Sequence, residues 1–157
     1  MCILGIDQSY TKTAFVIIGD NNGLEEFGVI STNKEENSFS RALSVSCAIN
    51  DVYLRYTPSI VNIEGLAFGL KGNATRDLAG LQYVILVRLM DIDPNVNFNI
   101  ITPKSVKKFA TDNGNASKKD MINALPDMVK QKFMDRNYKL TTGLADLADA
   151  YFIATYQ

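Results

Sequence analysis

With 157 residues, 46% of them hydrophobic and 21% charged, the chain has the size and composition of one domain with its own core, expected to span 1–157. It contains no histidine, which excludes the usual zinc sites, serine–histidine triads and histidine general bases and leaves carboxylates, lysines, hydroxyls and oxygen-held metals to carry any chemistry. The formal net charge of -1 supplies no bulk field for polyanions, and apolar runs such as Leu81 to Val87 fall far short of the roughly 20 residues that cross a bilayer, so a soluble, cytoplasmic protein is expected.

Ile3-Leu4-Gly5-Ile6 running into Asp7, followed after a polar turn by Ala14 to Ile18, predicts two antiparallel strands. The turn signal Asp20-Asn21-Asn22-Gly23 leads into a third strand over Leu24 to Ser31. Phe39 to Tyr56 carries Phe39, Leu43, Ala48, Val52 and Tyr53 at helical intervals, with Ser38 or Ser40 as cap. Cys2 and Cys47, both in apolar runs, are expected as buried reduced thiols.

Ser59 to Ile63 predicts a short strand ending at Glu64, and Thr75 to Met90 a second long helix beyond a glycine-bearing loop. Asn97 to Ile101 reads as a fifth strand, with Thr102 capping and Pro103 opening a lysine-rich helix. Ser117 caps a further helix to Leu125, Pro126 ends it, and a final helix runs from near Thr142 to Ala154. This order predicts an α/β domain, a mixed five-stranded sheet with helices on both faces.

In such sheets sites gather beyond the carboxyl ends of the strands, and Asp7 and Glu64 each end one. In the last helix Asp146 and Asp149 are three residues apart, on one face, among Leu147, Ala148, Ala150 and Tyr151. Two like charges 4 Å apart repel by roughly 4 kcal/mol at an effective dielectric near 20, so four gathered carboxylates call for a cation. Oxygen ligands alone suit Mg²⁺, with Mn²⁺ as substitute, in a two-metal phosphoryl-transfer site. Taken singly, each acid has an ordinary use at a helix start, in a turn or opposite a lysine. Between Thr102 and Lys119 stand Lys104, Lys107, Lys108, Lys118 and Lys119 against Asp112, a local positive excess that fits nucleic-acid backbone. Lys71 and Arg76, by the glycine loop, extend it.

Gly5-Ile6-Asp7 with Thr13, Ile63-Glu64 and Ala145-Asp146-Leu147-Ala148-Asp149-Ala150 resemble the RuvC-type Holliday junction resolvases, in order over nearly the whole chain. The segments Ile101 to Lys108 and Ser117 to Met121 are similar to that family's DNA-backbone segment. The resemblance implies a ribonuclease H-like fold and a homodimer making paired, Mg²⁺-dependent nicks in four-way junctions. Asp7, Glu64, Asp146 and Asp149 are the implied metal ligands and catalytic groups, and forks and flaps are further candidate substrates. The chain departs from the pattern in having Gln8-Ser9 where bacterial members have Pro-Gly, and Asp146 where some members have histidine. Phe68 lies near the family's aromatic wedge, and both a base-stacking and a core role are open to it. These departures resemble the phage branch. For the dimer, the Thr75 to Met90 helix, with Leu78, Leu81, Val84, Ile85 and Leu89, is the expected contact.

Two other classes compete. Gly5 to Thr13 also resembles the first phosphate motif of sugar kinases and actin-like ATPases, but these bind nucleotide between two domains and this length supplies one. A non-catalytic branched-DNA-binding module on the same fold would be expected to lack a metal carboxylate, whereas all four are present.

Overall fold

A computed structural model of the chain describes residues 2–66 and 72–156. Five strands, β1 (Ile3–Asp7), β2 (Lys12–Ile18), β3 (Leu24–Ser31), β4 (Ile60–Glu64) and β5 (Phe98–Ile101), form one sheet in the order β3-β2-β1-β4-β5. β1, β2 and β3 make an antiparallel meander, while β4 joins β1 and β5 joins β4 in parallel. The two crossovers are α1 (Ser38–Tyr56) and α2 (Asn73–Ile92), as parallel pairing demands. The remaining helices are α3 (Pro103–Thr111), α4 (Lys118–Ala124), α5 (Asp127–Asp135) and α6 (Leu144–Thr155).

Strand alternation divides the interior into two layers. Leu4, Ile6, Ile17, Val61 and Ile63 pack with Val45, Ile49 and Tyr53 of α1 and Leu81, Ile85 and Leu89 of α2. Ala14, Val16 and Ile18 face the other way, onto Leu147, Ala150 and Ile153 of α6, with Met121 and Phe133 of α4 and α5 completing that layer. Among the described residues no helix is long and apolar enough to cross a membrane.

Capping follows side-chain chemistry. Thr102 accepts from the Ser105 amide ahead of Pro103, and Ser117 and Asp120 form a reciprocal capping box on α4. On α1 the cap is Asn37, not Ser38 or Ser40: its side chain accepts from the Ser40 amide. The expected inner face of α1 is also corrected. Ala42, Val45, Ser46, Ile49, Asn50 and Tyr53 point inward, leaving Phe39 85% and Leu43 53% exposed. Cys47 shares their outer side and is exposed, so it is not the buried thiol expected from its apolar neighbours. Pro126 both ends α4 and starts α5, a helix the sequence reading did not resolve.

α2 requires a larger revision. Leu81, Ile85 and Leu89 are fully buried between the sheet and α1, so they have no surface to offer a partner. Its outer face instead carries Tyr83, Val87 and Met90, 70%, 52% and 46% exposed.

Candidate active site

Asp7 and Glu64 are brought together by strand register. Ile6 lies beside Ile63 in the parallel β1–β4 ladder, and Asp7 and Glu64 are the next residues along. Because Ile6 and Ile63 face α1 and α2, alternation turns both carboxylates toward α6. Asn62, two residues before Glu64 and on the same face, donates to the Ile153 carbonyl of α6 at 2.9 Å and accepts from the Asn99 amide of β5 at 3.0 Å.

α6 supplies the other two acids. It starts at Gly143, whose φ of 119° is one that side-chain-bearing residues rarely adopt, and a Cβ there would also meet Val29. Asp146 lies in its first turn, where negative charge suits the helix dipole, and Asp149 follows three residues later. Both are partly exposed, while Ala145, Leu147, Ala148 and Ala150 are buried. The helix lies this close to β1 because Gly5 has no side chain: a Cβ there would stand 2.4 Å from the Ala150 carbonyl oxygen and 2.5 Å from the Ala154 nitrogen.

The electrostatics of a site without a cation follow. Burial first, then the charges of Glu64, Asp149 and Asp146, raise Asp7 well above its ordinary value. Burial and Asp149 push Glu64 up to about 7, opposed by a hydrogen bond from Asp7 and by Lys107 and Lys118. Asp149 rises to about 6, chiefly through burial, with Lys118 pulling it down and Asp146 up. A carboxyl–carboxylate hydrogen bond contains a proton, which one of the two groups must carry. Among the described residues no group of three or more acidic or cysteine side chains is positioned to hold a metal ion. The acids instead repel one another within electrostatic reach, share protons and offer only oxygen. That donor set fits a hard divalent cation, whose charge would displace the protons.

Of the basic residues expected at the site, Lys107 and Lys118 act on it: both lower Glu64 and Asp149, and Lys118 also lowers Asp7. The Lys118 ammonium is 3.7 Å from an Asp146 carboxylate oxygen. Lys104, Lys108 and Lys119 are exposed on the same two helices, α3 and α4. Arg76 stands in the first turn of α2, 3.8 Å from the adjacent Asp77 in a well-exposed pair. Phe68 and Lys71 lie outside the described residues.

Several polar residues hold the site in place: Thr13 and Gln8 were noted in the sequence only as parts of the family pattern and its departures, and Gln82 was passed over. Thr13, fully buried, accepts from the Ser9 amide at 3.1 Å and donates to the Ser9 carbonyl at 2.6 Å, closing the turn after Asp7. Gln8 and Gln82, 4% and 7% exposed, each donate a side-chain amide to the backbone carbonyl of Glu64, at 3.0 and 2.8 Å. A signal for Gln82 was available, since it is a polar residue beside Leu81 on the face that also bears Ile85 and Leu89.

The arrangement has known counterparts. The family model for "Crossover junction endodeoxyribonuclease RuvC" matches residues 3–156. A protein of that name from Caldicellulosiruptor saccharolyticus is 30% identical over 122 residues, covering 75% of this chain and 72% of its own. Another from Prochlorococcus marinus is 26% identical over 128 residues, covering 80% of each. The structure of Thermus thermophilus RuvC in complex with Holliday junction substrate superposes with a TM-score of 0.71 at 18% identity, covering 98% of this chain and 90% of that one. At that identity the likeness establishes the architecture, the five-stranded mixed sheet of the ribonuclease H-like resolvases.

Proposed function

The chain belongs to the RuvC family of crossover junction endodeoxyribonucleases, and from that premise we propose that Asp7, Glu64, Asp146 and Asp149 hold Mg²⁺, or Mn²⁺ in its place, to cut phosphodiester bonds in branched DNA. Membership decides against the nucleotide-binding and non-catalytic alternatives: the chain is a Holliday-junction-resolving endodeoxyribonuclease. The observation that supports the residue assignment is the convergence of the four acids at one end of the sheet, where Glu64, Asp149 and Asp146 all raise Asp7 and Asp149 raises Glu64.

When bound, two divalent ions stabilise the attacking and leaving oxygens of an in-line displacement at phosphorus. The chain's own contribution is placement. β1 and β4 fix Asp7 and Glu64 side by side, and α6 brings Asp146 and Asp149 against them across the opening that Gly5 leaves. Lys107 and Lys118 face the acids from α3 and α4 and supply positive charge where a phosphate would lie over them. Lys104, Lys108 and Lys119 continue that surface and hold the DNA backbone, with Arg76 of α2 adding to it; Lys71 and Phe68, outside the described residues, are assigned to DNA contact from the sequence alone.

The single domain works as a homodimer, because two symmetric nicks need two sites and this fold gathers one carboxylate cluster. The exposed Tyr83, Val87 and Met90 on α2 support a contact through its outer face. The protein acts in the cytoplasm, on four-way junctions first and on forks and flaps second. Incubating a labelled four-way junction, a fork and a linear duplex with Mg²⁺ or EDTA tests the reading. Paired nicks in the junction, absent in EDTA, are expected; equal cutting of the linear duplex would exclude junction selectivity.

A further inference from the structure

The residue after Asp7 departs from the resolvase pattern, and the structure shows where its side chain goes. Gln8 is buried, and its amide nitrogen reaches from the end of β1 to the backbone carbonyl of Glu64. The Gln82 amide comes to the same oxygen from α2. On the other side of that peptide, the Gly65 N–H donates to the Ile101 carbonyl of β5 at 2.7 Å. One peptide unit, directly after the Glu64 side chain, is thus held by three elements.

Ordinary packing does not account for this. The parallel ladder pairs β1 with β4 up to Ile6 and Ile63, and beyond it Gln8 bonds through its side chain. Orienting the Gln8 nitrogen to Glu64 leaves its own Oε1 buried without a hydrogen-bond partner. Such an oxygen has given up water without gaining a donor, which costs stability. A residue retained for packing alone would be replaced by an apolar one at no such cost, and local rules are broken in this way where function requires it.

We propose that Gln8 and Gln82 are positioning residues that clamp the Glu64 carbonyl and thereby aim the Glu64 carboxylate for metal binding. The inference rests on the metal-site reading above. Outer groups that orient a ligand typically alter metal affinity by about 10–100-fold when removed. Either amide alone satisfies the carbonyl, so the two single variants have small effects and the double variant a larger one than their product.

The test uses the full chain with Gln8→Met, Gln82→Met and both, methionine keeping length and apolar contact without a donor. Metal affinity is read from thermal unfolding titrated with Mg²⁺ and with Mn²⁺, independently of cleavage, and junction affinity is measured in EDTA. The Mg²⁺ midpoint is expected to rise about tenfold or more in the double variant, with junction affinity unchanged and Gln82→Asn nearer to wild type than Gln82→Met. If the double variant does not fold, each single variant is expected to raise the midpoint by a smaller but measurable factor, because one of the two donors to the Glu64 carbonyl is then missing. Folded variants with the wild-type metal midpoint, including those with only a lower melting temperature, overturn the clamp. Wild-type protein that responds to neither metal overturns the metal reading and the clamp together.

Discussion

Asp7 and Glu64 end neighbouring parallel strands and are hydrogen-bonded to each other, which requires a proton on one of the two carboxyls. The pair is stable in that form only while the proton is present. Both groups, and Asp149, have folded values above their ordinary ones, so the folded protein binds more protons than the unfolded chain. This contribution to stability is complete below the ordinary carboxylate range and is lost as pH rises through about 6 for Asp149 and about 7 for Glu64. In EDTA the melting temperature is therefore expected to fall between about pH 5 and about pH 7.5. Saturating Mg²⁺ should oppose the fall, with protons released on binding. Thermal unfolding in EDTA with no slope across this window would contradict the shared proton.

Asp7→Asn, Glu64→Gln, Asp146→Asn and Asp149→Asn should each reduce Mg²⁺-dependent cleavage by about a thousandfold or more, since a metal site supplies several kcal/mol at about 1.4 kcal/mol per tenfold. Junction binding should persist in gel-shift assays. Asp7→Asn should also raise the metal-free melting temperature near neutral pH, because it removes a buried acid set against three others. Wild-type cleavage in two of the four variants would remove these residues from the reaction.

Gly5→Ala tests the approach of α6. Its methyl would overlap the backbone of Ala150 and Ala154, so the helix must retreat. The expected cost is about 1–3 kcal/mol in chemical denaturation, with a larger proportional loss of cleavage than of junction binding. Equal losses would indicate that the distance between Asp7 and α6 is not what the glycine protects.

The lysines should divide into two groups. Lys104→Ala, Lys108→Ala and Lys119→Ala together should flatten the dependence of junction affinity on salt by about 0.9 log unit per lost contact, with modest change in the rate at saturating protein. Lys107→Ala and Lys118→Ala should reduce the rate itself, because these side chains face the acids. An unchanged salt slope in the triple variant would place the DNA elsewhere.

Val87→Glu with Met90→Glu, on the outer side of α2, should convert a sedimenting dimer into a folded monomer. Leu81→Glu or Leu89→Glu should instead unfold the chain, since both leucines are fully buried. A monomeric wild-type protein at micromolar concentration, with and without junction DNA, would refute the dimer.

The strands and their terminal acids were legible because an apolar run that stops at a carboxylate marks both the element and the sheet edge to which it leads. Caps at Thr102 and Ser117 were legible for a similar reason, their chemistry being local. What escaped depended on which side of a helix meets the sheet. Phe39 and Leu43 follow helical spacing as well as Val45 and Ile49 do, yet they point to solvent. On α2 the sequence marked the apolar positions without showing that sheet and α1 absorb the leucines. The glutamine clamp was hidden because its acceptor is a backbone atom 56 residues from Gln8, which no side-chain pattern reveals.

Asn62 has a mechanical consequence. Its amide joins β4 to α6 through Ile153, four residues beyond Asp149, while its oxygen holds Asn99 on β5. Sliding α6 by one turn, about 5.4 Å, would strand a buried amide. The helix is therefore indexed to the strand like a tooth in a rack.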